Sequence, residues 1–313
     1  MSFKSIVVGV DASPQAAIAA QVGVRIAEAA GAPCWLVHGS RLTFDPPATA
    51  EFLTDVLLVV DRQIELARRG VADALRGAVP AQDIAALDVR LGRPAGVIVE
   101  AAHERKAGLI VVGGKHHSAL ARWTGGSTAL HLVRSTDTPL LVVGPHTGAF
   151  RRILLAVDLS HALRPTFETA LSLARLFDAQ VRVVHVVEPL PALAELPVTL
   201  SDEAFFADSE EQLQRALEPL LEQVAVPSAV LRGPAAPTVA GEAAAWKADL
   251  VVVGSHGKGW MHRLLVGSVT EQLLNQLPTS LLVVPVPAPA AAAKQRAARW
   301  RRERTGSPVE VLI

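Results

Sequence analysis

Gly254-Ser-His-Gly257, followed nine residues later by Gly267-Ser268, is the part of this sequence best suited to chemistry. It comes directly after the apolar run Leu250–Val253. Glycine lets a chain turn sharply out of a strand and lets backbone N–H groups approach a ligand with no Cβ in the way. Ser268-Val-Thr-Glu271 has the spacing of a capping box, so a helix should open at Gly267-Ser268 with Ser268 as its cap. A helix N-terminus carries free N–H groups and partial positive charge and favours phosphate. Lys258, His262 and Arg263 lie in the intervening loop, and no Asp or Glu occurs between Gly254 and Val269. Together these residues describe a polyphosphate cradle; the plainer alternative is a glycine-rich loop with an ordinary helix cap. The string is not a GxxxxGK[ST] phosphate loop, and no GxGxxG follows the first strand.

Other reactive side chains suggest less. His116-His117 has no HExxH and no cysteine beside it, so a metal site is not expected. Ser13 and Ser160 lack a GxSxG elbow, which leaves a hydrolase nucleophile unsupported. His38 and His185 sit in apolar strands and read as hydrogen-bonded core histidines. Cys34, the one cysteine, also lies in a strand pattern and reads as packing. Neither an HxGH-like nor an SGGxxS-like adenylate-forming signature occurs.

The elements that must position the cradle come twice. Ile6-Val-Val-Gly-Val-Asp11-Ala-Ser13 returns 147 residues later as Ile153-Leu-Leu-Ala-Val-Asp158-Leu-Ser160. Trp35–His38 returns at the same offset as Arg182–His185. Leu109–Gly113, Gly126-Ser127 and Leu140–Val143 return at an offset of 141 as Leu250–Gly254, Gly267-Ser268 and Leu281–Val284. Two copies of one unit therefore make the chain, joined near Gly144–Phe150. In the first copy, strands are expected at Phe3–Val10, Cys34–His38, Ile84–Leu91, Leu109–Gly113 and Leu140–Val143. The helices between them start at Ser13-Pro14, run from Pro47 to Leu75, and cover Pro94–Arg105 and Ser127–Arg134. Short continuous Val/Ile/Leu runs are the mark of parallel strands covered on both faces. Alternating strands and helices give a doubly wound α/β sheet, which binds ligands beyond the carboxyl ends of its strands.

A Val-rich first strand ending in Asp, a second strand carrying Val184-His185-Val186, and G-x2-G-x9-G-S resemble the universal stress protein family in its tandem two-domain form. The likeness spans about residues 3–287. It implies two tandem five-stranded parallel-sheet domains of the Rossmann-type, adenine-nucleotide alpha hydrolase-like fold. The domains would be residues 1–147 and 148–287, followed by a basic Ala/Arg-rich tail, 288–313. It implies that the final strands of the two domains pair, forming an internal pseudo-dimer. It also implies a regulatory stress-response protein that binds ATP or another adenine nucleotide in domain 2. Asp158 and Val186 would hold the adenosine; Gly254, His256, Gly257, Gly267, Ser268 and Val269 would hold the ribose and phosphates. No catalytic residue and no metal are implied. A nucleotide-independent scaffold for protein partners and a slow ATPase or autophosphorylating protein are the alternatives.

Domain 1 departs from the pattern. His116 replaces the second glycine, Gly39 replaces the Val of strand two, and Leu130 stands where Glu271 does in domain 2. Asp11, Arg122, Gly126 and Ser127 are retained. Weak or absent nucleotide binding is expected there.

Composition limits the remaining classes. The 313 residues carry 30 basic and 30 acidic side chains and no Tyr, which disfavours nucleic acid as a partner. The zero is a sum: from Val286 onward the tail is +4, and the body is −4. With no signal-peptide pattern at the start and no apolar run of membrane length, a cytoplasmic protein is expected. A further homodimer and the protein partner stay open.

Overall fold

The computed structural model describes residues 3–41, 53–114, 128–144, 150–188, 202–221, 225–255 and 266–286. In the first unit the order is β1 (Ile6–Gly9), α1 (Pro14–Ala30), β2 (Cys34–Ser40), α2 (Leu53–Leu75), α3 (Ala81–Ala85), β3 (Asp88–Leu91), α4 (Pro94–Glu104), β4 (Leu109–Gly113), α5 (Thr128–Ser135) and β5 (Leu140–Val143). The second unit runs β6 (Arg152–Val157), α6 (Leu163–Phe177), β7 (Gln180–Val187), α7 (Asp202–Leu221), β8 (Ser228–Arg232), α8 (Ala235–Ala245), β9 (Leu250–Gly254), α9 (Ser268–Gln276) and β10 (Ser280–Val284).

The strands among the described residues join one ten-stranded sheet, ordered β3-β2-β1-β4-β5-β10-β9-β6-β7-β8. Every pair is parallel except β5 with β10, where Leu141 lies opposite Leu282 in antiparallel register. The two units are thus continuous through their last strands, as the family likeness implied. Strand order reverses between β1 and β4 and again between β6 and β9, which gives one switch point per unit.

Burial explains the strand sequences. Ile6 and Val8 pack in the core layer under α1, α2, α6 and α7, while Val7 packs in the opposite layer under α4, α5, α8 and α9. Leu154 and its neighbours Ile153 and Leu155 divide in the same way. With helices on both faces, both side-chain rows must be apolar, so these strands are runs and not alternations.

Helix ends follow local chemistry. Ser13 caps α1, accepting from Ala16 N at 3.3 Å, with Pro14 in the first helical position. Gly31 ends it in the left-handed region, φ 61°. The strand expected over Ile84–Leu91 is corrected. Ile84 belongs to the short helix α3, opened by Pro80 with Asp83 in its first turn, and β3 starts only at Asp88. Apolar content misled there, because Pro80 sets the backbone for a helix start.

One ion cluster closes the sheet edge. Asp88 accepts from Arg90 at 2.8 Å and Arg105 at 3.0 Å, Glu104 accepts from Arg90 at 2.8 Å, and Arg105 lies 3.8 Å over the Trp35 ring. The bond from Arg90, then that from Arg105, holds the Asp88 carboxyl below its usual range against the opposing effect of burial. A lowered carboxyl stabilises the fold above its unfolded pKa, near 4, and the contribution disappears as pH falls through the folded value. Asp88→Asn is therefore expected to cost about 1–2 kcal/mol at pH 7, and its denaturation curve should converge with that of the parent as pH falls well below the usual carboxylate range. A gap that persists undiminished into acid would show that the loss is not ionic.

Candidate functional site

A cavity of about 170 Å³ lies at the second switch point, beyond the carboxyl ends of β6, β7 and β9. Ala156, Val184, Val186 and Val239 form its apolar wall. Asp158, Gly254, and residues Gly267, Ser268, Val269 and Thr270 supply the polar side. Six residues singled out from the sequence thus meet here: Asp158, Val186, Gly254, Gly267, Ser268 and Val269. His256 and Gly257, with Lys258, His262 and Arg263, lie outside the described residues.

Asp158 follows β6 directly. His185 Nδ1 donates to Val157 O at 2.8 Å, pinning β7 to the strand end just before it. His38 makes the matching bond to Val10 O, so both histidines do have the core role read from the sequence. Leu159 then turns the chain through the left-handed region, φ 57°. Ser160 N donates to Asp158 Oδ1 at 3.2 Å, and Ser160 Oγ accepts from Ala162 N. The helix α6 begins only at Leu163. The other carboxylate oxygen, Oδ2, is buried and has no hydrogen-bond partner among the described residues. A buried carboxylate oxygen without a donor is costly, and a ligand hydroxyl or amine is one way to satisfy it.

Opposite stands the start of α9. Its cap is Gly267, φ −56° and ψ 139°, and among the described residues no side chain caps it. This corrects the expected capping box. Ser268 is already helical, so its hydroxyl cannot take the cap position, and Glu271 reaches Arg134 of α5 at 3.7 Å instead. Gly267 N donates to Ser255 O, Ser255 N to Val284 O, and Thr270 Oγ1 to Gly254 O at 2.8 Å. These bonds lash the helix to the ends of β9 and β10. Glu271 N makes the first intrahelical bond, to Gly267 O, so the N–H groups of Ser268, Val269 and Thr270 have no intrahelical acceptor.

One lining residue and one neighbouring helix cap were not singled out from the sequence. Thr270 needs only its spacing, three residues after Gly267. Glu188 Oε1 accepts from Ala235 N at 3.0 Å, at the start of α8. Its signal is Pro234 at the cap of α8: proline has no side chain to cap with, so a cap must come from elsewhere.

At the first switch point the described residues pack closely at several of the matching positions. Asp11 Oδ1 accepts from both Ser13 N and Ser13 Oγ. Because Ser13-Pro14 starts α1 early, its first turn lies against β4, where a Cβ on Gly113 would meet Gln15 O at 2.7 Å. A Cβ on Gly39 would meet Pro94 Cα at 2.7 Å, and one on Gly9 would meet Ile98 Cδ1 at 2.4 Å. The second unit has Val186, Ala156 and Val239 at the positions of Gly39, Gly9 and Ile98, and stays hollow. His116, Arg122, Gly126 and Ser127 lie outside the described residues.

Burial, with Asp83 nearby, pushes the Cys34 thiol up to about 12, consistent with a packing role. Among the described residues no group of three His, Cys, Asp or Glu is placed to hold a metal, and no helix is long and apolar enough to cross a membrane.

The sequence profile of the universal stress protein family matches residues 2–144 and again 149–285. A universal stress protein of Mycolicibacterium smegmatis is 28% identical over 297 residues, covering 89% of this chain and 96% of its own. One from Methanocaldococcus jannaschii is 30% identical over 143 residues, covering 44% of this chain and 84% of its own. Among solved structures, a universal stress protein from Archaeoglobus fulgidus superposes with a TM-score of 0.63 at 15% identity, covering 91% of this chain and 99% of that one. That last similarity concerns the fold alone.

Proposed function

The chain belongs to the universal stress protein family, in its tandem form, and on that premise we propose that its second unit, within residues 148–287, binds ATP as a regulatory ligand while the first unit, within residues 1–147, serves as its scaffold. One observation carries this reading: among the described residues Asp158 Oδ2 has no donor and the start of α9 has no side-chain cap, and both border one apolar-walled cavity. The carboxylate accepts from the adenosine, Val186 packs on it, and the Ser268–Thr270 amides take phosphate. Gly254, His256 and Gly257 complete the phosphate loop. The protein acts in the cytoplasm, through a nucleotide-dependent contact with a protein partner, and not by turnover.

Calorimetric titration of the nucleotide-stripped protein with ATP should give one site per chain. Asp158→Ala should weaken it about 10- to 100-fold, the worth of a charged hydrogen bond. Adenine nucleotide should also be released when freshly purified protein is denatured and weighed by mass spectrometry. Absence of heat from the stripped parent would overturn the proposal.

A further inference from the structure

Asp11 and Asp158 hold the same place in the two units, just beyond the first strand of each. Each accepts from the backbone N–H two residues on, Ser13 N at 3.0 Å and Ser160 N at 3.2 Å. The serine hydroxyls then part company. Ser13 Oγ donates to Asp11 Oδ1. Ser160 Oγ instead accepts from Ala162 N at 3.1 Å, and Asp158 Oδ2 is buried with no donor among the described residues. The residue between differs in backbone as well. Leu159 lies in the left-handed region at φ 57°, whereas Ala12 keeps a negative φ. The helices respond accordingly. Directly after Ser13, α1 begins at Pro14, but α6 begins only at Leu163, after a turn in which Leu163 N donates to Ser160 O at 3.0 Å. Ala162, Leu163 and Thr166, from this delayed start, line the cavity beside Asp158.

We infer that Leu159 is a positioning residue for the nucleotide: its left-handed backbone turns the Ser160 hydroxyl away from Asp158 and leaves the carboxylate an oxygen with which to accept from the adenosine. This rests on the nucleotide reading above. Leu159 does not line the cavity and acts only through Asp158. The left-handed region is unfavourable for leucine, because Cβ crowds the following carbonyl oxygen. Such a conformation persists only where its surroundings impose it, and it gathers at sites where geometry matters more than local stability. Here the imposing contacts are the bond from Ser160 N to Asp158 on one side and the packing of the Leu159 side chain against the core on the other.

The rival explanation is that Leu159 serves only as core packing. Two substitutions separate side chain from backbone. Leu159→Ile keeps the apolar volume but branches at Cβ, which the left-handed region resists. Leu159→Asn gives up the packing and enters that region readily. Parent and variants, stripped of nucleotide, would be titrated with ATP by calorimetry, and thermal melts would check that each is folded. Leu159→Ile should bind about 10-fold more weakly than the parent, and Leu159→Asn should bind about 10-fold more tightly than Leu159→Ile although it has lost the side chain. If Leu159→Asn does not fold, Leu159→Gly makes the same comparison. The reverse ranking, or a folded Leu159→Ile with the parent's affinity, overturns the assignment and leaves Leu159 as packing. Crystal structures of the unliganded variants report on the turn without nucleotide. The Ser160 hydroxyl should move onto Asp158 in Leu159→Ile, as Ser13 does on Asp11, and should stay on Ala162 N in Leu159→Asn. A hydroxyl that stays on Ala162 N in Leu159→Ile overturns the assignment even where ATP affinity falls. A stripped parent that gives no heat with ATP overturns the nucleotide reading itself, and with it the role of Leu159 toward a nucleotide.

Discussion

Replacing Ser268 with proline should leave the protein as stable as before and weaken ATP binding by about 10- to 100-fold. Proline is favoured in the first helical position, where its missing N–H has no intrahelical role. It also requires an extended residue before it, and Gly267 already has φ −56° and ψ 139°. The backbone accepts the substitution without moving. What is lost is one of the three amides at the cavity, with the serine hydroxyl, and the ring takes the space of that N–H. A helix-breaking substitution would confuse unfolding with lost binding, but this one keeps them apart. The test pairs a thermal melt with an ATP titration. Unchanged affinity in a folded Ser268→Pro protein would remove α9 from the binding site.

Gly39→Val should destabilise the protein by about 1–3 kcal/mol and should not create a second nucleotide site. The substitution copies Val186 into the first unit and looks like a repair. Its Cβ, however, would stand 2.7 Å from the Pro94 Cα and 3.3 Å from the Val97 Cβ. The nearest obstacle is backbone, which cannot rotate aside like a side-chain tip. At about 2–4 °C per kcal/mol for units of this size, the melting temperature should drop by several degrees. ATP stoichiometry should stay at one per chain. A stable Gly39→Val protein with two sites would show that the first unit is separated from binding by side chains alone.

That second expectation shows where sequence reading stops. Gly39 and His116 could be recognised as departures, because each is a residue type out of place in a repeat. The packing of Pro94 over Gly39, and of Ile98 into the space left by Gly9, depends on where a helix settles over a sheet, and no spacing encodes it. The doubly wound architecture was legible because burial on both faces writes itself into continuous apolar strands such as Leu109–Val112. Part of the candidate site was legible from the spacing of its motif, which brings Gly254 and Gly267 to one cavity. Glu188 stayed hidden because a carboxylate just after a strand looks like any surface acid until Ala235 N is seen beside it. The Ser268–Glu271 pattern misled in the opposite sense: the spacing of a capping box is present, but the tie from Gly267 to Ser255 moves the cap one residue earlier.

The antiparallel seam between β5 and β10 has a consequence for how the molecule can respond to its ligand. Partners that share one chain meet at an effective concentration set by their short connection and not by the amount of protein present. Dilution cannot part them, and neither half can exchange its neighbour for another copy. Relieved of having to match an identical twin, one half could lose its hollow while the other kept it. If the second unit alone binds nucleotide, as proposed, the response of such a molecule is a simple saturation curve with no sigmoid. It reports the concentration of the ligand without amplifying it.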